Sequence, residues 1–225
     1  MEIGIYHANP SDYPRAQSLG IDLIQGVNLR QGISDFDKAK YHGLKIFISK
    51  DRMVDDTSYI HPAVKYWYLQ DEPDMHQIPV KDVLALRNEF AIKDQHSPKL
   101  EAIVMISALW HDHLPWWRRW PGFNYLAYGS TAEIVATDKY SSPSSVKGHL
   151  EFSFKPIAKL LRKKWFAAMD IHRPVSELYE TASKIQDLGA CGLLLYAWYE
   201  SGWMWDLNNH PNVMREIEKI CRNLK

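Results

Sequence analysis

The stretch HPAVKYWYLQDEP, residues 61–73, changes character within a few positions. Its middle part, Lys65–Gln70, is dominated by aromatic and other apolar side chains, which is typical of a β-strand buried on both faces. The apolar run then gives way to two acidic residues and a proline, Asp71, Glu72 and Pro73. Because proline restricts the backbone of the turn that follows, both carboxylates are expected at the C-terminal end of this strand.

Similar short runs, rich in β-branched or aromatic residues, recur along the whole chain. The other predicted strands are Glu2–His7, Ile21–Asn28, Leu44–Ser49, Glu101–Ser107, Ile134–Asp138, Trp165–Asp170 and Gly192–Trp198. Segments with helical signals lie between or after them: Asp35–His42 (with Ser34 as its cap and Gly43 as its stop), Val80–Lys93, Leu150–Leu161, Val175–Leu188 and Val213–Leu224. Strands that alternate with helices indicate a parallel sheet with right-handed crossovers, and eight strands close a barrel. The predicted fold is therefore α/β, a single (β/α)8 TIM barrel.

An open, doubly wound sheet is the rival fold. Such sheets usually bind their ligand at a glycine-rich first turn, whereas the first turn here reads His-Ala-Asn-Pro from residue 7 to residue 10. Neither a GxGxxG nor a Walker A motif occurs. No glycine-, serine- or proline-rich linker divides the chain, so we expect one catalytic domain over residues 1–225.

Composition excludes several classes of function. The chain has 225 residues, and its 27 basic residues balance 27 acidic ones, which argues against a general nucleic-acid binder. No apolar run is long enough for a membrane span, and the N-terminus lacks the pattern of a signal peptide. The two cysteines, Cys191 and Cys221, do not form a disulfide framework or a metal motif. A cytoplasmic protein is the expectation.

Polar side chains at the C-terminal strand ends matter most, because barrel enzymes carry their chemistry there. Besides the pair after the fourth strand, acidic residues follow the sixth, seventh and eighth strands as Asp138, Asp170 and Glu200. The opposite strand ends, marked by residues such as Gly43 and Cys191, are largely without acids. This asymmetry favours an acidic pocket at one rim.

The stretch from His61 to Pro73 resembles the fourth strand of barrel glycoside hydrolases, particularly poorly characterised ones with the pattern HPA-x-x-G-W-Y-L-x-D-E-P. Better-known relatives end this strand in Asn-Glu-Pro, and their Glu is the acid/base. Here Tyr66 replaces the usual glycine. Residues 138–143 are similar to the Asp-x-Tyr-Pro end of strand six, with one extra residue before Pro143. The resemblance implies the barrel fold and glycosidic-bond cleavage, and no particular substrate.

Cleavage of a glycosidic bond needs one carboxylic acid that protonates the leaving oxygen and a second carboxylate that attacks or activates water. The resemblance assigns the acid/base role to Glu72. Asp138 is the first choice for its catalytic partner, because it belongs to the second motif and lies two strands away. Asp170 and Glu200 compete for that role, and the sugar, the linkage, and the choice between endo and exo or retaining and inverting action stay open.

Aromatic and polar side chains near the strand ends suit a carbohydrate, since flat rings stack on apolar faces and polar groups take its hydroxyls. The residues expected to bind substrate are His7, Asp71, Tyr140, Asp170, Trp198 and Glu200. We expect no cofactor and no metal. The expected partner is a carbohydrate substrate, without nucleic acid or membrane, and the oligomeric state stays open.

Two alternatives from other classes are kept. His111 and His113 form a His-x-His pair after the fifth strand, and zinc-containing barrel hydrolases use such pairs at the first strand. The first alternative is therefore a metal-dependent barrel hydrolase. The second is a barrel that binds carbohydrate and has lost catalysis, which would keep its saccharide affinity after loss of Glu72.

Overall fold

The structure is a computed structural model that describes residues 1–26, 33–50, 59–74, 76–107, 126–138, 150, 155–200 and 204–225. Eight parallel strands follow one another around a closed barrel in chain order. They are β1 (Glu2–Ala8), β2 (Leu23–Gly26), β3 (Lys45–Ile48), β4 (Val64–Gln70), β5 (Glu101–Ser107), β6 (Ile134–Asp138), β7 (Lys164–Asp170) and β8 (Gly192–Tyr196). The barrel closes where β8 pairs with β1, with Gly192 opposite Glu2. The predicted (β/α)8 barrel is confirmed.

Helices separate the strands and cover the outside of the barrel. Within the described ranges they are α1 (Tyr13–Leu19), α2 (Ile33–Tyr41), α3 (Val80–Lys93), α4 (Lys155–Leu161), α5 (Val175–Asp187) and α6 (Pro211–Asn223). Gly43 ends the α2 segment as predicted, in the left-handed backbone region with φ 67°. Ser34, predicted as the cap, instead lies inside the first turn, because α2 begins at Ile33.

Two apolar layers stabilise the barrel. The inner layer fills the barrel with side chains that include Leu23, Phe47 and Phe166, and the outer layer packs the strands against the helices. Position 192 of β8 requires glycine, because a Cβ here would lie 2.7 Å from the Phe166 ring of β7. In the outer layer, the Trp67 indole of β4 stacks on the Phe90 ring of α3 with 4.8 Å between centroids. These packed layers hold the strand ends in fixed positions.

Most strand boundaries lie within one residue of the prediction. β2 begins at Leu23 rather than at Ile21, and its predicted end at Asn28 lies outside the described residues. The other difference is at the end of β8. It was expected to reach Trp198 but ends at Tyr196. The backbone N–H of Trp198 then donates to the Tyr6 carbonyl of β1 at 2.9 Å. The indole of Trp198 is fully buried in the outer layer. The chain therefore leaves the sheet two residues earlier than its apolar sequence suggests.

The N-terminal end of the barrel is richer in acids than the sequence suggested. β1 begins at Glu2 and β5 begins at Glu101, while Glu133 directly precedes β6. Their carboxylates contact the side chains of Lys65, Lys164 and Arg87, respectively. The expectation that this end is largely without acids is therefore wrong, since three acids lie here, each paired with a cation.

No helix in the described part of the chain combines the length and the hydropathy that crossing a bilayer requires.

Candidate active site

A cavity of about 650 Å³ lies at the C-terminal end of the barrel. The residues that line it are Tyr6, His7, Gln25, Ser49, Lys50, Tyr68, Leu69, Gln70, Asp71, Leu86, Met105, Ala168 and Tyr196. Most of them lie at or near the ends of seven different strands, so the barrel itself positions these side chains. This is the end at which barrel enzymes carry their chemistry.

The end of β4 supplies the central carboxylate of this cavity. Side chains alternate along a strand, so Tyr68 points into the barrel while Trp67 packs outside it. The buried Tyr68 hydroxyl donates to Asp71 Oδ1 at 2.6 Å and lies 3.4 Å from the Tyr6 hydroxyl, which donates to it. A row of hydroxyl groups therefore connects the barrel interior with the carboxylate at the mouth.

The electrostatic environment raises the pKa of Asp71. Asp71 is exposed as a residue, but its carboxyl group lines the mouth, and the loss of hydration there raises its pKa. The negative charge of Glu72 raises the pKa further, whereas the hydrogen bond from Tyr68 and the nearby imidazoles of His76 and His7 lower it. The net result is an Asp71 pKa above its usual range.

Glu72, the predicted acid/base, follows directly and is partly buried. Its backbone has φ 41°, in the left-handed region, so the chain turns sharply here. Glu72 directly follows Asp71 in the chain, and its negative charge is one of the influences that raise the pKa of Asp71. Among the described residues, the cavity lining includes Asp71 and does not include Glu72. The role of Glu72 stays a prediction.

A second carboxylate of this end, Glu200, lies where β8 meets β1. The Tyr196 hydroxyl donates to Glu200 Oε2, and burial, followed by this hydrogen bond, raises the pKa of Tyr196. His7 Nδ1 lies 3.7 Å from the same carboxylate oxygen and 3.1 Å from the Tyr199 carbonyl oxygen. The two-residue strand β9 (Tyr199–Glu200) pairs with β10 (Trp205–Asp206) and holds Glu200 at this position. His7, Tyr196 and Glu200 thus form one group.

Asp170 ends β7, and its carboxylate is hydrogen-bonded to His172. Its Oδ1 accepts the His172 backbone N–H at 2.8 Å and lies 2.5 Å from His172 Nδ1. The His172 ring in turn packs edge-on against Trp205, with 4.4 Å between centroids. Asp170 is therefore a fixed carboxylate of the same rim, and its negative charge contributes to the raised pKa of Tyr196.

Other predicted residues do not come to the cavity or lie outside the described residues. Trp198 is fully buried in the outer layer, so its ring does not face the cavity. Asp138 ends β6, where its backbone pairs with Ser107 of β5. This places Asp138 two strands from β4, as expected. Tyr140 and the His111–His113 pair lie outside the described residues.

Three tyrosines of the cavity were missed in the sequence as site residues. Tyr6 lies one residue before the end of the predicted first strand, and Tyr68 lies three residues before Asp71. The alternation of side chains along β4 would have placed Tyr68 inside the barrel, on the same face as Tyr66 and near the strand end that carries Asp71. Tyr196 lies four residues before Glu200, and no sequence signal joins the two.

The described residues contain no cluster of three or more His, Cys, Asp or Glu side chains that could hold a metal ion.

No protein-family model and no curated protein sequence matches this chain. Solved structures do match its fold. A putative α-L-fucosidase from Bacteroides thetaiotaomicron superimposes with a TM-score of 0.69 at 8% identity, over 99% of this chain and 95% of that one. A glucosidase from Croceicoccus marinus gives 0.63 at 10% identity, over 99% and 67%. A GH10 xylanase from Thermobacillus composti gives 0.61 at 11% identity, over 98% and 96%.

The class that these comparisons define is the TIM barrel, in the form shared with glycoside hydrolases. Other structures that match include a tryptophan synthase and a β-methylaspartase, so the barrel alone does not select one reaction. At this level of identity the likeness shows the fold, and function has to be argued from the site.

Proposed function

We propose that this protein hydrolyses glycosidic bonds of an oligosaccharide or polysaccharide at the C-terminal mouth of the barrel. The observation that carries the proposal is the cavity at this mouth, which Asp71 from the end of β4 shares with His7 and Tyr196 from β1 and β8. It combines a carboxyl group of raised pKa with a concave, partly apolar surface. Perturbed carboxyl groups in such cavities are typical of acid–base catalysis.

The cavity has the mixed lining that a sugar requires. Its apolar part includes Met105, Ala168 and the rings of Tyr6 and Tyr68, while Gln25 and Gln70 add amide groups. Sugars have apolar ring faces and hydroxyl groups at their edges, and such a lining contacts both.

The chemistry of the rim favours sugar substrates over phosphorylated ones. Barrels that bind phosphate commonly use the loops after the seventh and eighth strands. Here Asp170 ends β7 and Glu200 follows β8, and two carboxylates repel a phosphate group. The same negative charge stabilises the positive charge that develops on a sugar ring during glycosidic cleavage.

In the proposed mechanism, Glu72 protonates the leaving oxygen and Asp138 acts as nucleophile or base. Asp71, Asp170 and Glu200 surround the reacting sugar with negative charge, together with His7. Tyr140 is proposed to bind substrate, as is the rim that follows β8. Asp170 and Glu200 are the alternatives to Asp138. Neutral variants of the three (Asp→Asn or Glu→Gln), compared by their turnover of one substrate, show which carboxylate is the partner of Glu72.

The test begins with a panel of aryl glycosides and unmodified oligosaccharides, followed by Glu72→Gln. This variant keeps the shape of the side chain and cannot donate the proton, so turnover of an unactivated glycoside should fall by about 10²–10⁴-fold. An aryl glycoside with a good leaving group needs less protonation and should lose less. The matched control is Glu101→Gln, at the opposite end of the barrel.

The outcomes separate the proposal from its alternatives. Near wild-type turnover by Glu72→Gln on an unactivated substrate would remove Glu72 from the acid role. Saccharide binding without any turnover, unchanged in Glu72→Gln, would make the protein a binding barrel. Activity that disappears with a chelator and returns with zinc would instead direct attention to His111 and His113.

A further inference from the structure

Strand β4 carries two buried tyrosines that form the same kind of hydrogen bond at opposite ends of the barrel. Tyr66 and Tyr68 both point into the barrel interior. The Tyr66 hydroxyl donates to Glu2 Oε2 at 2.5 Å, at the N-terminal end. The Tyr68 hydroxyl donates to Asp71 Oδ1 at 2.6 Å, at the C-terminal end. The strand thus contains an internal comparison between two phenol–carboxylate pairs.

The charges around the two carboxylates differ. Glu2 also contacts the Lys65 ammonium group, so its negative charge is balanced by a cation. At Asp71, by contrast, the like charge of Glu72 raises the pKa, and the imidazoles of His76 and His7 lower it. The Tyr68 hydroxyl is therefore the contact from the rigid interior of the barrel that stabilises the negative charge of Asp71.

Tyr68 itself has little freedom to move. It is 2% exposed and its ring packs against Phe47 and Tyr6, with centroids 5.8 Å and 6.3 Å away. The Tyr6 hydroxyl donates to the Tyr68 hydroxyl, which directs the Tyr68 proton toward Asp71. Asp71, by contrast, lies in the turn after the strand, where its side chain would otherwise choose among several rotamers.

We infer that Tyr68 is a positioning residue, whose hydroxyl fixes the Asp71 carboxylate in the cavity and stabilises its ionised form beside Glu72. The inference rests on the proposed glycosidase function. A carboxylate held ionised at this position faces the sugar ring as positive charge develops on it, and a prearranged anion needs no reorganisation during the reaction. Tyr68 contacts Asp71 and acts through it.

The direction of the effect follows from the forces on Asp71. Loss of hydration raises the pKa of this carboxyl, and the hydrogen bond from Tyr68 opposes that rise. When the hydroxyl is removed, the pKa of Asp71 should move further above its usual range. The carboxylate would then be protonated over more of the working pH range, and its orientation would no longer be fixed.

The test compares Tyr68→Phe with Tyr66→Phe, which remove one hydroxyl each from the same strand. The first readout is a ¹³C NMR titration of the Asp71 side-chain carboxyl, which requires no substrate. In Tyr68→Phe the titration should move to higher pH than in wild type, and in Tyr66→Phe it should not move. The second readout is the pH–rate profile, whose acidic limb should move to higher pH in Tyr68→Phe while kcat falls about 10-fold.

A double-mutant cycle guards against a general effect on folding. In an Asp71→Asn background, Tyr68→Phe should cause no further loss of kcat, because the group that it positions is already neutral. A full additional 10-fold loss in that background would overturn the inference, and so would an Asp71 titration that is the same in Tyr68→Phe and in wild type. If wild type cleaves no glycoside, the proposed function fails, and the titration alone decides whether Tyr68 controls Asp71.

Discussion

Acidic side chains occur at both ends of the barrel, but their partners differ. At the N-terminal end, Glu101 lies 2.9 Å from the Lys164 ammonium group and Glu133 contacts Arg87. At the C-terminal end, Asp71 accepts from the Tyr68 phenol and Asp170 contacts the His172 imidazole. These two acids of the N-terminal end therefore pair with permanent cations, and these two of the C-terminal end pair with groups that donate a hydrogen bond and are neutral or titratable.

The difference shows which carboxylates are available for chemistry. A carboxylate beside lysine or arginine stays ionised and has its charge neutralised, so it stabilises structure. A carboxylate beside a phenol or an imidazole has no permanent cation against it, so its charge stays available to a substrate. Among the described residues that line the mouth there is one lysine, Lys50, and its ammonium group contacts Glu89 of α3 at 2.5 Å. For these carboxylates the kind of partner distinguishes the two ends better than the number of acids does, and Asp94, which lies 2.8 Å from the His96 imidazole near the N-terminal end, is the exception.

The largest expected effect concerns Trp198, which lies near the C-terminal end without reaching the cavity. Its indole is fully buried in the outer layer, so Trp198→Ala should lower the free energy of unfolding by about 3–5 kcal/mol. Urea denaturation measures this loss. Met204→Ala is the control, because the Met204 side chain is 93% exposed and its removal should change stability by less than about 0.5 kcal/mol.

The Trp198 result also tests the comparison. If Trp198→Ala remains as stable as wild type but loses saccharide affinity, the indole is a binding surface, as predicted from the sequence. If stability falls and the folded fraction still binds, the C-terminal end contains supporting residues as well as site residues.

A smaller effect is expected from Asp94, an acid near the N-terminal end of β5 that has no lysine or arginine among its hydrogen-bond partners in the described structure. Asp94 Oδ2 accepts from Leu100 N at 2.8 Å and from Trp67 Nε1 at 3.0 Å, and Oδ1 accepts from the His96 backbone at 2.8 Å. Burial alone would raise the pKa of Asp94, but these hydrogen bonds outweigh burial and lower it. Asp94→Asn should therefore cost about 2–4 kcal/mol near neutral pH.

The pH dependence of that cost has a definite sign. Because the pKa of Asp94 is lowered in the folded state, its stabilising contribution is present above the unfolded pKa and is lost as pH falls through the folded one. The difference between wild type and Asp94→Asn should thus shrink below about pH 4 in urea titrations. Asp187→Asn, at an exposed position ending α5, should show no such dependence. A difference that grows toward low pH would contradict this account.

The fold was predictable to the extent that local sequence determines it. β5, β6 and α3 have the predicted bounds, because each is a run of one periodicity between turn residues. β8 was predicted too long, since Ala197 and Trp198 are as apolar as the strand before them. The strand nevertheless ends at Tyr196, and the Trp198 backbone N–H bonds to Tyr6, far away in sequence, so local sequence does not determine where β8 stops.

The site was less predictable, because it depends on turns and on side chains from distant strands. The position of Asp71 in the mouth was expected, but its contact with Tyr68 depends on a turn in which Glu72 has φ 41°. Local sequence does not determine that angle. The proximity of His7 to Glu200, separated by most of the chain, arises only when β8 pairs with β1.

The smallest expected effect is that of Glu101→Gln, which tests the N-terminal end directly. Both oxygens of Glu101 lie 2.9 Å from Lys164 Nζ, yet the two side chains are 37% and 55% exposed. Exposed pairs gain little from Coulomb attraction in water and lose side-chain entropy, so the variant should lose no more than about 1 kcal/mol of unfolding free energy. That loss should diminish at high salt, because exposed charges are screened. Turnover should equal that of wild type, since a charge already neutralised by lysine at the far end adds little field at the mouth. A 10-fold loss of turnover with unchanged stability would show that the two ends act on the reaction together, and the distinction between them would fail.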